Sequence, residues 1–298
     1  MRLWHHLIAV LILAFIILNL TFWIIPLLLL VPIKWLLPIS WVRSRIEKIM
    51  AWIYRAAVQG NSWILFQVIK IRLDITGVDR AFPGNFYLVI ANHQSWSDIL
   101  ILQHVLNRKA PVMKFLVKKE LMYLPLVGLI CWAFDFPFLE RGKKPQKKST
   151  NPTPNKDKRN LSKSLIRLLR SSATIMNFAE GTRFSALKAI RQQSPFQYLL
   201  KPKAGGLIAI HNMIGQELTA ALDFTIVYHT PKLSFWRFIG GAIPRVTIHV
   251  EAISAQALKK SFGSPETSFT RDRVIEWVNH RWDRKDRHID RILSGNHQ

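Results

Sequence analysis

An α/β domain, a mixed sheet flanked by helices and preceded by a membrane-anchoring helical segment, is the fold class this sequence predicts. Three observations carry it. Short runs rich in β-branched and aromatic residues, such as Phe86 to Ala91 and Ala173 to Met176, alternate with stretches opened by helix-capping residues. That alternation builds a sheet covered by helices, with its cleft outside the strand ends. From Leu7 to Ile33 no residue is charged, a run long enough to cross a bilayer at about 1.5 Å rise per residue. Two polar clusters, Asn92 to Asp98 and Phe178 to Arg183, each follow an apolar run directly, as the residues of one shared cleft would.

Residues 1–63 read as the anchor and its interfacial helices. Pro26 and Pro32 divide the uncharged run, which leaves both a kinked span and a hairpin dipping into one leaflet open. A cleaved signal peptide is the alternative, but the run is long for one and no small-x-small cleavage site follows it. Behind it Trp35, Trp41, Trp52, Tyr54 and Trp63 are interleaved with Lys34, Arg43, Arg45, Lys48 and Arg55, the composition of helices at headgroup level. The same aromatics would also serve to pack the anchor on the domain. If the run spans, its cationic flank marks the cytoplasmic side.

Residues 64–298 read as the catalytic domain. Strands are predicted at Leu65 to Ile75, Phe86 to Ala91, Val112 to Val117, Asp135 to Leu139, Ala173 to Phe178, Leu218 to Tyr228 and Pro244 to Ile253. Phe82 to Asn85 is the turn into the second of these. Helices are predicted from Asp98 to about Leu106, from Lys118-Lys119-Glu120-Leu121, and over Pro125 to Ala133, Leu161 to Leu169, Ala204 to Met213 and Arg271 to Leu293. The last is highly charged, with Val274, Trp277, Val278, Ile289 and Ile292 on its apolar side. A basic flexible insertion at 143–160 carries seven cationic side chains and one acid, Asp157. It reads either as a solvated loop or as a grip on an anionic bilayer or an acidic acyl carrier.

Against 18 acidic residues stand 42 basic ones, a net charge of +24, which points to polyanionic partners. With hydrophobic residues at 49% and no helix-turn-helix or zinc-finger pattern, anionic membrane lipids fit and nucleic acid does not. Cys131 is the one cysteine, so intrachain disulfides and cysteine metal clusters are excluded. Its apolar neighbours make it an inert core thiol.

His93 on a strand-to-helix turn, with Asp98 five residues on in the first helical turn, has the arrangement of a base and its orienting acid. A structural histidine or an ordinary helix cap shows the same spacing; the second strand-end cluster is what favours catalysis. Ser95 and Ser97 beside His93 raise a hydrolase reading. Triad members normally converge from separate loops, however, and no Gly-x-Ser-x-Gly elbow occurs. A non-enzymatic tether of anionic lipids would explain the charge and the anchor but not the polar clusters.

His93 with Asp98, then Phe138-Leu139-Glu140-Arg141-Gly142, then Glu180-Gly181-Thr182-Arg183, followed by Lys201-Pro202-Lys203-Ala204-Gly205-Gly206, resemble the ordered motif blocks of the glycerolipid acyltransferase family. That family includes the 1-acylglycerol-3-phosphate acyltransferases. The long Arg183-to-Pro202 spacing is most similar to a bacterial inner-membrane branch related to the lysophospholipid acyltransferases. The resemblance implies a glycerol-3-phosphate acyltransferase-like sheet on the inner membrane, its catalytic domain facing the cytoplasm. It also implies acyl transfer from acyl-CoA or acyl carrier protein to the free hydroxyl of a lysophospholipid. The leading acceptor is 1-acylglycerol-3-phosphate, giving phosphatidic acid, and a lysophospholipid with a larger headgroup is the alternative. No resident cofactor and no metal is implied.

On this reading His93 is the base and Asp98 its partner, while Arg141 and Arg183 hold the acceptor phosphate. Gly181 lets backbone amides approach that phosphate and Thr182 donates a hydroxyl. Glu180 holds Arg183 or Lys118 in place. Lys118, matching a Lys-Lys-Glu-Leu block, steadies charge on the thioester oxygen, and Lys201 and Lys203 border the donor or the acceptor headgroup.

Overall fold

In the computed structural model, which describes residues 2–37, 39–77, 86–115, 117–118, 123, 125–136, 138–139, 172–263 and 271–295, the uncharged run is one helix. This helix, α1 (Leu3–Leu36), continues through Pro26 and Pro32 and is about 50 Å long. Ala9, Ile12, Ile16, Ile24, Leu27 and Val31 are buried while Leu7, Leu11, Leu18, Phe22, Ile25 and Leu29 are exposed, so spacings of three and four give the helix a buried and an open face. The buried face packs on the domain along most of its length: Ala9, Ile12 and Ile16 enter the core beside the sheet, and Leu27 and Val31 join a second cluster with Cys131. Among the described residues, this is the helix long and apolar enough to cross a membrane.

A second helix, α2 (Ser40–Ser62), runs back along the first. Asn19 Nδ2 donates to Ala57 O and Asn61 Oδ1 at 2.8 and 2.9 Å, Trp23 meets Trp52 edge to face, and Lys34 pairs with Glu47 and Asp135. Of the interfacial aromatics, Trp41, Trp52 and Trp63 are exposed, whereas Tyr54 packs against Phe134.

Six strands form the main sheet: β1 (Arg72–Thr76), β2 (Phe86–Ala91), β3 (Met113–Phe115), β6 (Ala173–Phe178), β7 (Ala220–Tyr228) and β8 (Arg245–Ser254). Their order is β1-β8-β7-β2-β6-β3. β7, β2, β6 and β3 are parallel, β8 runs antiparallel to β7, and β1 is parallel to β8, so the sheet is mixed as expected. A separate parallel pair joins β4 (Val117–Lys118) to β5 (Phe138–Leu139). All six residues of β2 are buried, which is why that stretch reads as a continuous apolar run.

The further helices among the described residues are α3 (Ser97–Leu106), α4 (Pro125–Ala133), α5 (Ala186–Arg191), α6 (Ala204–Ile214), α7 (Phe235–Ile239), α8 (Ala255–Phe262) and α9 (Arg271–Leu293), and both faces of the sheet are covered. Tyr87, Val89, Ala91, Leu222, Phe224 and Ile226 face α1, α3 and α7. Phe86, Leu88, Ile90, Ala221 and Val227 face α6, α8 and α9.

Three strand expectations need correction. Leu65 to Ile75 is not one strand: Trp63–Val68 is a π-helical continuation of α2, Lys70 turns the chain at φ 59°, and only Arg72–Thr76 pairs. Val112 to Val117 divides into β3 and β4 in different sheets, so Lys118 ends a strand instead of opening a helix. Asp135 to Leu139 shrinks to β5, because Asp135 takes φ 53° in the turn after α4. α5, α7 and α8 lacked a periodicity long enough to predict. The expected turn at Phe82 to Asn85, Glu140 and Arg141, the basic insertion at 143–160 and the helix at Leu161 to Leu169 lie outside the described residues.

Candidate active site

The loop leaving β2 is fixed before its chemistry begins. Asn92 Nδ2 donates to Ile226 O, and Ile226 N donates to Asn92 Oδ1, both at 2.9 Å, so the exit of β2 is clamped to β7. Asp98 stands in the first turn of α3, where its Oδ2 accepts from the backbone amides of Gln94 (2.7 Å) and Ser95 (2.9 Å). The same oxygen meets His93 Nδ1 at 2.8 Å. Its other oxygen, Oδ1, accepts from Tyr228 Oη at 2.6 Å. A fully buried carboxylate thus has four hydrogen bonds, the condition for keeping its charge away from water.

An ionised carboxylate only accepts, so it places the proton on Nδ1 and leaves Nε2 as the basic nitrogen. The imidazole stacks on Phe178 with ring centroids 3.9 Å apart and 14° between planes, and its side chain is 12% exposed. Ring position and tautomer are therefore both set, and one edge stays reachable.

Tyr228 was not legible as a site residue. β2 ends at Ala91, opposite Phe224, and β7 continues four residues further, which lifts Tyr228 beside the loop. Burial, with the Asp98 charge second, raises its hydroxyl well above the usual tyrosine range, so it acts as a neutral donor. Ser95 and Ser97 are buried with their hydroxyls 2.6 Å from each other, which turns the hydrolase reading's nucleophiles inward.

The loop leaving β6 lies alongside, because β2 and β6 pair in parallel with Ala91 opposite Phe178. Glu180 meets backbone where an ion pair with Arg183 was one expectation; the other, Lys118, has its side chain outside the described residues. Glu180 Oε1 accepts from His93 N and its Oε2 from Leu200 N, both at 3.2 Å, in full burial, so it pins backbone to backbone. Burial pushes this carboxyl up to about 8, against the lowering pull of the two amides and Lys285. Arg183 lies instead over the Trp96 ring, 5.1 Å from its centroid.

Gly181 adopts φ 67°, a left-handed turn that favours glycine. A Cβ there would stand 3.4 Å from Lys203 Cδ, so the Lys203 side chain passes over this turn. Lys203 N also donates to Ala179 O at 2.7 Å. Thr182 Oγ1 accepts from Lys188 Nζ at 2.9 Å, and the same ammonium donates to Arg183 O at 2.8 Å. Phe184 N donates to His93 O at 2.7 Å, tying the two loops together.

The structure thus brings together His93, Asp98, Glu180, Gly181, Thr182, Arg183 and Lys203, and adds Tyr228, Phe178, Trp96 and Lys188. Lys201 is exposed next to them in sequence. Arg141 lies outside the described residues, as does the Lys118 side chain, but Lys118 pairs with Leu139 in the β4–β5 ladder, which draws the two blocks together. Among the described residues no cluster of three histidine, cysteine or carboxylate side chains forms a metal site.

The acyltransferase family model matches residues 72–228, just over half of the chain. An uncharacterized acyltransferase of Schizosaccharomyces pombe is 26% identical over 74% of this chain and 64% of its own length. The 1-acyl-sn-glycerol-3-phosphate acyltransferase 3 of Arabidopsis thaliana is 26% identical over 76% and 59%. Human 1-acyl-sn-glycerol-3-phosphate acyltransferase alpha is 30% identical over 38% and 35%. The chain therefore spans about three fifths of the first two relatives. The crystal structure of the 1-acyl-sn-glycerophosphate acyltransferase PlsC from Thermotoga maritima superposes with a TM-score of 0.54 at 17% identity, covering 94% of this chain and 97% of that one. That likeness is one of fold.

Proposed function

Because the chain belongs to the acyltransferase family, we propose that it transfers a fatty acyl group from a thioester, acyl-CoA or acyl carrier protein, to the free hydroxyl of a lysophospholipid. The favoured acceptor is 1-acylglycerol-3-phosphate, which yields phosphatidic acid and supplies phospholipid biosynthesis. The observation that carries this reading is the buried Asp98 carboxylate, which holds His93 by Nδ1 and leaves Nε2 free.

In the proposed reaction His93 Nε2 takes the acceptor hydroxyl proton as that oxygen attacks the thioester carbonyl carbon. Asp98 stabilises the resulting imidazolium. The tetrahedral intermediate collapses with loss of the thiolate, which takes the proton from Nε2 and returns the base to its starting state. Arg183 and Lys203, at the Gly181 turn, supply the cations for the acceptor phosphate, together with Arg141. Lys118 is assigned to the developing oxyanion, and Lys201 to the headgroup or donor.

Both lipid tails partition into a bilayer, which gives the open face of α1 its purpose. The basic insertion and the +24 charge suit an anionic membrane surface or an acidic carrier. The assigned location is the bacterial inner membrane, with the catalytic domain on the cytoplasmic side.

The test is acyl transfer into lipid vesicles with labelled acyl-CoA or acyl carrier protein and a panel of lysophospholipids. Wild-type protein should form product, with the preferred headgroup naming the acceptor, and a folded, membrane-bound His93→Ala should not. Transfer that survives in His93→Ala sinks the base assignment.

A further inference from the structure

The lip of the cleft is built for a different surrounding from the rest of the catalytic domain. α5 has no buried residue, and its two large aliphatic side chains, Leu187 and Ile190, are 69% and 73% exposed. Burial of an apolar face is what normally keeps a short helix in place. Here polar contacts at the base do that work. Ser185 caps the helix by accepting from Lys188 N, Lys188 Nζ binds Thr182 Oγ1 and Arg183 O, and Phe184 N is bonded to His93 O. Leu187 and Ile190 are thus presented outward, three residues apart on one helical face, from a segment anchored to the base's own backbone.

Across this lip Trp96, 50% exposed, lies under Arg183. Between Glu180 and Glu217 the chain has no acidic residue, while Arg183, Lys188, Arg191, Lys201 and Lys203 supply five cations. Isolated exposed aliphatics are ordinary. An exposed aliphatic pair in a stretch that carries five cations and no acid, with one of those cations over an exposed tryptophan, has the composition of headgroup-level protein. The charge selects the occupant: an anionic lipid surface complements this lip.

The geometry points to α5 and Trp96 entering the headgroup region of an anionic bilayer, so that the cleft opens into the membrane and lipid reaches His93 laterally without crossing water. This is a second membrane contact, separate in sequence from α1. It rests on the lipid acyltransferase reading only for the identity of what is delivered, and insertion can be measured without turnover.

Cys131 is buried, with its thiol pushed up to about 11 by that burial, so a cysteine placed at the surface can be labelled selectively. Ile190→Cys carrying an environment-sensitive fluorophore should shift to the blue on phosphatidylcholine vesicles containing phosphatidylglycerol, and should be quenched by lipids with a nitroxide near the headgroup. The same label at Asp283→Cys on α9 should do neither. An aqueous spectrum at position 190 while the protein is vesicle-bound overturns the inference. So does a shift that follows protein concentration without lipid, which would assign the lip to a second copy of the chain.

In the reaction, Leu187→Gln with Ile190→Gln should lower turnover of vesicle-held lysolipid about tenfold and leave turnover of a short-chain, water-soluble lysolipid unchanged. Equal loss on both acceptors would make α5 merely structural and overturn the inference. Absence of acyl transfer by wild-type protein on every acceptor would sink the proposed reaction, while the fluorescence at position 190 would still decide insertion.

Discussion

The loops that leave β2 and β6 lie side by side and are built in opposite ways. In the first, every polar group that matters is already engaged: Asp98 is buried with four hydrogen bonds, and Asn92 is clamped to β7. In the second, Ala179 and Glu180 are buried, while Gly181, Arg183, Lys201 and Lys203 are exposed. The contrast fits the proposed reaction: proton transfer needs a ring held in one position and one tautomer, which saturated supports provide, and gripping a charged, mobile headgroup needs donors still available to it, which cations left in solvent provide. Glu180 joins the two designs by using its carboxyl oxygens on backbone amides of His93 and Leu200.

The sharpest way to break this contrast is Asp98→Asn. An amide in place of the carboxylate offers a donor to groups that are themselves donors, and it no longer fixes the tautomer of His93. We expect kcat to fall by at least about a hundredfold, measured as single-turnover acyl transfer by protein with a native circular dichroism spectrum. Near-normal turnover would mean that His93 needs no oriented partner.

Glu180→Ala should act on stability as much as on rate. It strands two buried amides, at about 1–3 kcal/mol each, to be read as a lowered midpoint in thermal or denaturant unfolding. The wild-type carboxyl has a second signature. Raised from 4.5 to about 8 in the native state, it holds a proton across that window while the unfolded chain does not. Stability should therefore decline as pH rises from 4.5 through about 8 and level off above, by an amount on the order of 5 kcal/mol. Glu180→Gln should remove this group's share of the slope, and an unchanged slope would assign it elsewhere.

Tyr228→Phe leaves Asp98 with three of its four partners. A loss of about 1 kcal/mol in stability and no more than about tenfold in kcat is expected. A larger rate effect with unchanged stability would make the hydroxyl part of the chemistry and not of the support. Arg183→Ala is the mildest test, and it belongs to the binding loop. KM for a phosphate-bearing acceptor should rise about tenfold with kcat little changed, whereas an equal loss in kcat would place Arg183 on the transition state.

Much of this is legible in the amino-acid sequence. β2 and β6 are short apolar runs buried from both sides, and α9 keeps one periodicity from end to end. The His93–Asp98 pair was legible because both residues belong to a single strand-to-helix turn, where five residues suffice to close the contact. Leu65 to Ile75 misled because an apolar run at the end of a helix has the composition of a strand, and Lys70 alone marks the turn. Lys285 hid in the charged pattern of α9, yet it is buried and bonds Asp223 and Phe224 O, where a cation would be expected in solvent.

The sequence by itself determined most of the elements, the strand ends at which the polar clusters stand and the pairing of His93 with Asp98, since each of these follows from contacts a few residues apart. Only the tertiary structure decided what surrounds that pair. Tyr228 stands 130 residues from Asp98 and arrives because β7 outruns β2. Phe178 stacks on His93 because two parallel strands end side by side. Glu180 takes two backbone amides as partners, and an amide, present at almost every residue, leaves no mark in the order of side chains by which such a partner could be read.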